Sequence, residues 1–264
     1  MASGAPVAIE AQRAVVDATY MKVTVPSIRP PAYDVDPAAT VIAPNLLPSV
    51  THAPSGFMVI GAGKTAFDAL LWLLDNRVDP DRIQWIVPRD SWLLNRAFIQ
   101  PGDGFKIGEQ MRCVAEADSA ADAYLRLESA GHFLRIDDTR EPTMYRCATV
   151  TESELHALRR ITQVHRGGRV TRVGTDTVEL DNGSIDTTAD TVHVDCTADG
   201  LERLPEVPVF ADDRITLQTL RPCQQVFSAA LIARIETLVG TSEAEKNELA
   251  TVIPHPDTPH DFLT

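Results

Sequence analysis

Residues 57–76, FMVIGAGKTAFDALLWLLDN, constrain the fold more than any other stretch. Phe57-Met58-Val59-Ile60 is a continuous apolar run, the pattern of a parallel strand buried on both faces. From Lys64 the period changes, and Phe67, Leu70, Leu71 and Leu74 recur at helical spacing. Gly61-Ala62-Gly63 lies between them. Strand, tight turn and helix in that order point to an α/β fold with a Rossmann-like, three-layer dinucleotide-binding domain.

Three occupants are conceivable for the turn: a triphosphate, a pyrophosphate, or none. A P-loop needs a glycine five residues before its second glycine, as in GxxxxGK[ST]. Counting back from Gly63 reaches Met58, inside the strand. The loop is therefore too short to wrap a triphosphate, and the GKT of Lys64-Thr65 is coincidental. The dinucleotide pattern GxGxxG/A is met by Gly61, Gly63 and Ala66. The first glycine makes the turn, and the second lets a pyrophosphate approach the backbone. The small third position lets the helix pack close to the strand. Gly61, Ala62, Gly63, Lys64 and Thr65 are thus the expected cofactor-binding residues, with the N–H groups of the helix N-terminus facing the phosphates. A purely structural turn is the alternative.

The second strand of such a unit ends beside the adenosine ribose. Arg82 to Val87 reads as that strand and leads into Pro88-Arg89-Asp90. An acid here accepts from the 2′-OH of NAD, whereas an arginine takes the 2′-phosphate of NADP. Arg89 comes first after the strand, and Arg96 follows in Trp92-Leu93-Leu94-Asn95-Arg96. NADP is favoured over NAD, provided that Asp90 turns away from the phosphate. The alternative is a pair of solvated loop charges.

A formal net charge of −13 and the lack of any Lys/Arg run argue against a nucleic-acid partner. Cys113, Cys147, Cys196 and Cys223 are too far apart in sequence for a CxxC redox pair or a zinc knuckle, so they read as reduced, mostly buried thiols. No stretch approaches the ~20 apolar residues that span a bilayer. The opening MASGAPVAIEAQRAVV lacks a basic region followed by a sustained apolar one. A cytoplasmic protein without a membrane partner is expected.

Beyond Arg96, Gln100 to Gly104 reads as a loop, followed by helices near 106–117 and 120–131 with Gly131 as a C-terminal cap. Thr151-Glu152-Ser153-Glu154 is a capping-box signature whose helix continues through Leu155 and Leu158. Val170, Val173, Val178 and Leu180 alternate with polar residues, and Asp181-Asn182-Gly183 reads as a hairpin turn. The strand Thr191 to Cys196 ends in small residues that let a cofactor approach, and its His193 reads as a paired structural histidine. A helix is expected over 224–239. The tail carries His255, Asp257, His260 and Asp261 without an element to fix them, so no metal site is expected. No hydrolytic motif and no internal repeat stand out, and no catalytic residue is assigned.

The segment Gly61-Ala62-Gly63-Lys64-Thr65-Ala66-Phe67-Asp68 resembles the NADPH-domain signature GxGxSGxD of flavin-containing monooxygenases and related two-dinucleotide oxidoreductases. Thr65 stands for the serine and Ala66 for the third glycine, while Asp68 matches. DATYMKVTVPSIRPPAY, DPDRIQWIVPRDSWLLNR, PTMYRCATV, HVDCTADG and CQQVFSAA extend a looser resemblance to bacterial FAD/NAD(P)-binding oxidoreductases over nearly the whole chain. The resemblance implies two Rossmann-like domains, FAD in the first and NAD(P)H in a second inserted into it. It also implies that Arg89 selects NADP and that Cys196-Thr197-Ala198 closes the inserted domain.

These relatives open with a glycine fingerprint for FAD. Here Gly4 is the only glycine among the first 55 residues. Residues 1–54 are accordingly expected to be an arm left from a flavin-type domain. Residues 55–204 form the NAD(P) domain, with a helical insertion at about 97–160, and residues 205–264 return to the flavin-type part. The expected function is hydride transfer from NADPH to a flavin that a flavin-bearing partner or a homodimer helps to hold. A non-catalytic NADP-binding module is the alternative. A flavin-free reductase is a third, with Tyr145 as its proton donor.

Overall fold

Five strands that need burial on both faces set the architecture. In a computed structural model, which describes residues 10–99, 106–198, 200–202, 204–222, 224–238, 240–253, 258 and 260–261, the chain divides into two units. One comprises 1–23 with 200–255, the other 24–199 with 256–264. The expected loop at 100–104, Cys223, and the tail residues His255 and Asp257 lie outside the described residues.

The smaller unit contains β1 (Val15–Asp17), which the chain rejoins after residue 200. The larger unit begins with β2 (Asp34–Val35), β3 (Thr40–Ile42), β4 (Gly56–Ile60) and α1 (Lys64–Asp75). It continues with β5 (Ile83–Ile86), β6 (Ser91–Asn95), α2 (Ile107–Ala115), α3 (Ala120–Ser129), β7 (Phe133–Leu134) and β8 (Met144–Val150). Then come α4 (Glu152–Leu158), β9 (Gln163–His165), β10 (Val170–Val173), β11 (Thr177–Leu180), β12 (Gly183–Asp186) and β13 (Thr191–Asp195).

The central sheet of the larger unit is all parallel, in the order β3-β13-β4-β5-β9. Phe57, Val59, Trp85, Val192 and Val194 turn to one face and pack with Ala66, Phe67, Leu70 and Leu73 of α1 and Leu155 and Leu158 of α4. Each fully buried leucine or phenylalanine here contributes roughly 1.5–3 kcal/mol. Met58, Ile60 and Ile86 turn to the opposite face, where Val170, Val173, Val178, Leu180 and Ile185 cover them. That cover is the sheet β12-β11-β10-β2. The result is a mixed α/β unit with helix, parallel sheet and a second sheet in layers.

Two local signals are realised as residue chemistry. Asp181-Asn182 links β11 and β12 with Leu180 opposite Gly183. Gly131 has φ 81° after α3, and the amides of Gly131 and His132 bond the carbonyls of Glu128 and Leu127, closing the helix in a left-handed cap.

Several expectations are corrected. The segment 97–160 is not only helical: β7 and β8 flank β6 in a three-stranded sheet, β6 and β8 running parallel. The N-terminal boundary falls at residue 24 rather than 55, because β3 completes the edge of the parallel sheet beside β13. Cys147 is disulfide-bonded, against the expectation of reduced thiols; Cys113 and Cys196 are free.

In the smaller unit β14 (Phe210–Ala211) and β15 (Arg214–Thr216) join β1 in the order β1-β15-β14. Helices α5 (Gln225–Glu236) and α6 (Glu243–Leu249) belong to the same unit, and Ile232, Ile235 and Ala250 pack with Phe210 and Ile215. Among the described residues no helix is long and apolar enough to cross a membrane.

Candidate functional site

The turn between β4 and α1 is tied down on both sides. The Gly61 amide donates to the Ile86 carbonyl at the end of β5, and the Cys196 amide donates to the Ile60 carbonyl. The buried Trp85 indole donates to the Gly61 carbonyl at 2.8 Å and meets Phe67 edge-on at 5.8 Å. Trp85 thereby fixes the turn to both β5 and α1, a role the apolar pattern of its strand does not announce.

The two glycines have different causes. Gly61 has φ 127°, and a Cβ there would lie 2.7 Å from the Cys196 carbonyl oxygen, so the fold itself requires glycine. Gly63, the residue before α1, has φ −96°, which any residue adopts, and a Cβ there would meet nothing within 4 Å. No described residue demands glycine at that position. Ala66 is fully buried against the core, as a close helix–strand approach needs.

Helix α1 starts without a side-chain cap and without an acid in its first turn. The first N–H groups of any α-helix lack intrahelical acceptors. No described residue supplies an acceptor to the amides of Gly63, Lys64, Thr65 or Ala66. The macrodipole adds a partial positive charge at the same place. Backbone donors, positive potential and free space outside Gly63 therefore coincide.

Lys64 turns its ammonium back along the helix to Asp68 Oδ1 at 2.5 Å, with Glu154 Oε1 at 3.8 Å. Arg96 donates to the Thr149 carbonyl at 3.2 Å and stands 3.9 Å from Glu154 Oε2. Glu154 therefore brings Lys64 and Arg96 to the same carboxylate. Its role in the sequence was only that of a capping-box residue, and both halves of that box are present with Thr151.

Arg89 is exposed in the bend after β5 and has no partner among the described residues. Nothing brings it into contact with Lys64 or Arg96. Its neighbour Asp90 is held by Arg166 through two bonds of 2.8 and 3.2 Å, so the acid is already compensated. Thr65 is exposed and Ala62 half-buried.

On the far side of the turn, Asp195 ends β13 fully buried, with Oδ1 accepting from the Thr197 amide and hydroxyl. Burial pushes the Cys196 thiol up to about 12, with the nearby carboxylates of Asp195 and Asp68 acting in the same direction. Such a thiol is inert rather than nucleophilic.

Two other sequence candidates sit inside the core. Tyr145 is wholly buried on β8 among Tyr124 and Phe133, and burial raises its phenol well above the ordinary value. It therefore does not stand at a cleft as a proton donor. His193 is wholly buried and paired, its Nδ1 3.1 Å from the Thr40 carbonyl and its Nε2 3.0 Å from the Thr187 hydroxyl. No group of three or more potential metal ligands occurs among the described residues. Two clefts of about 330 and 320 Å³ lie elsewhere, one beside Trp92 and Tyr124 and one at the amino ends of β4, β5 and β13.

No family model matches the chain. It is 46% identical over 267 residues to uncharacterized proteins of Mycobacterium bovis and Mycobacterium tuberculosis, across 99% of its own length and 49% of theirs. The chain thus spans about half the length of the curated relatives it matches. Among solved structures, L-lysine 6-monooxygenase from Pseudomonas syringae shares 13% identity over 60% of this chain and 40% of that one. The TM-score of 0.30 is too low to carry an argument.

Proposed function

We propose that the larger unit is a Rossmann-like domain that binds a pyridine dinucleotide, NADP in preference to NAD, as part of a flavin-linked oxidoreductase. The observation that carries this reading is the pair of glycines at the β4–α1 turn. Gly61 is explained by the fold, whereas Gly63 is left open toward uncapped helix amides. A pyrophosphate seated there would accept from those amides and explain the second glycine.

Topology supports the same reading. From β4 the chain steps outward through β5 to β9 and then crosses back to β13 on the opposite side of β4, so the break in strand order lies between β4 and β13. Ligands of open parallel sheets bind outside the carboxyl ends of the strands at such a point. Arg89, exposed beyond β5 and without a partner among the described residues, fits a 2′-phosphate, and the compensation of Asp90 by Arg166 removes the repulsion that an acid would add.

NADPH held here supplies a hydride. The chain's own residues would bind the phosphates and orient the ligand, and a flavin held with a partner would serve as the hydride's acceptor. A thermal melt of the purified chain tests the assignment. A ligand at 100 times its Kd stabilises the native state by about 2.7 kcal/mol. NADPH is expected to raise the midpoint by several degrees, NADH by less, and FAD not at all. A shift with FAD but none with NADPH would overturn the proposal.

A further inference from the structure

The sequence motif that the proposed function leaves unused is the capping box of α4, and its acid meets more than the helix end. Glu154 Oε2 accepts from the Thr151 amide at 2.6 Å, while the Glu154 amide donates to the Thr151 hydroxyl at 3.1 Å. That accounts for the helix end. It does not account for the two cations on the same carboxylate, Lys64 at 3.8 Å from Oε1 and Arg96 at 3.9 Å from Oε2.

Both distances exceed a hydrogen bond, so neither cation is fixed by Glu154. All three side chains are about one-third exposed, at 35%, 34% and 28% for Lys64, Arg96 and Glu154, which leaves the cations within reach of a ligand. Lys64 is the first residue of α1, directly after Gly63. The carboxyl stays ionised: burial works to raise its pKa, but the Thr151 amide, Lys64, the Thr151 hydroxyl and Arg96 together hold it below the ordinary value. A permanent negative charge thus sits within 4 Å of the ammonium of Lys64, the first residue of α1.

We propose that Glu154 is a built-in counter-charge of the dinucleotide site, opposing a ligand phosphate and competing with it for Lys64 and Arg96, although Lys64 is bonded to Asp68 and Arg96 to the Thr149 carbonyl. This inference rests on the dinucleotide reading above. Glu154 then sets how tightly the site binds, trading affinity for release, and it does so through the segment between β6 and β9 rather than through the turn itself. Like charges oppose each other more strongly the closer they lie, so removing the Glu154 charge relieves that opposition while Lys64 keeps Asp68 and Arg96 keeps the Thr149 carbonyl.

The substitution Glu154→Gln separates the two roles, because glutamine serves as well as glutamate at this position of a capping box. NADPH and inorganic pyrophosphate are titrated into wild type and variant by calorimetry at several salt concentrations. The variant is expected to bind NADPH roughly 3–10-fold more tightly, with a steeper loss of affinity as salt rises. Thr151→Ala weakens the cap without touching the charge and is expected to leave the affinity unchanged. Equal affinity in wild type and Glu154→Gln, or equal tightening in Thr151→Ala, overturns the counter-charge. Failure of wild type to bind NADPH or pyrophosphate overturns the dinucleotide reading itself, and this inference with it.

Discussion

Gly61 and Gly63 stand two positions apart, and the fold demands glycine at the first but not, among the described residues, at the second. A residue-by-residue reading of the sequence finds both, because GxG after an apolar run is a local signal. It cannot find Trp85 as the donor to the Gly61 carbonyl, since that bond joins residues 24 positions apart. His193 was legible as a paired residue because an imidazole inside an apolar strand needs partners for both nitrogens. The partners, Thr40 and Thr187, were not legible.

His193 also carries a pH dependence. Burial lowers its pKa below the ordinary value of 6.5, although the Thr40 carbonyl works the other way. The unfolded chain therefore takes up a proton that the folded one refuses. Stability is unaffected above about pH 6.5 and falls as pH drops below it, until the folded pKa is reached. Urea unfolding from pH 7.5 to 5.5 should show this decline in wild type. In His193→Gln the slope should be smaller by up to one proton, about 1.4 kcal/mol per pH unit. Parallel slopes would show that the ring is not held neutral by the fold.

At the scale of elements, those announced by their own sequence form where local residue patterns place them. The β4–α1 junction, the α4 capping box, the β11–β12 hairpin and the left-handed end of α3 all depend on residues within a few positions. Strand β8 does not. Its Met-Tyr-Arg-Cys-Ala-Thr-Val has no clean alternation, and its pairing with β6 spans more than 50 residues of chain. Strand β3, three residues long, joins the parallel sheet across about 150 residues. Pairing at that distance leaves no periodic trace in a short strand.

The end of β5 makes an element-level prediction. Arg89 projects from the bend after Ile86, beside the strand whose carbonyl holds the Gly61 amide. A charged hydrogen bond to a 2′-phosphate is worth about 1.5–3 kcal/mol. Arg89→Ser should therefore weaken NADPH binding roughly 10–100-fold and leave NADH nearly unchanged. Equal losses for both nucleotides in a fluorescence titration would show that Arg89 does not read the phosphate.

At the scale of the whole molecule, a chain of net charge −13 binding an anion has to concentrate positive potential locally. The uncapped α1 amides are such a place, whereas Lys64 and Arg96 are matched by Asp68 and Glu154. The chain spans about half the length of the mycobacterial relatives it matches. The most direct measurement of the central claim is calorimetric titration of NADPH into wild type and Gly63→Asp, alongside their thermal melts. Aspartate caps a helix as well as glycine or better, and a Cβ at this position meets nothing within 4 Å. The account predicts unchanged or higher stability together with loss of NADPH binding, because the new carboxylate takes the amides and repels the phosphate. Undiminished binding in a stable Gly63→Asp would contradict it.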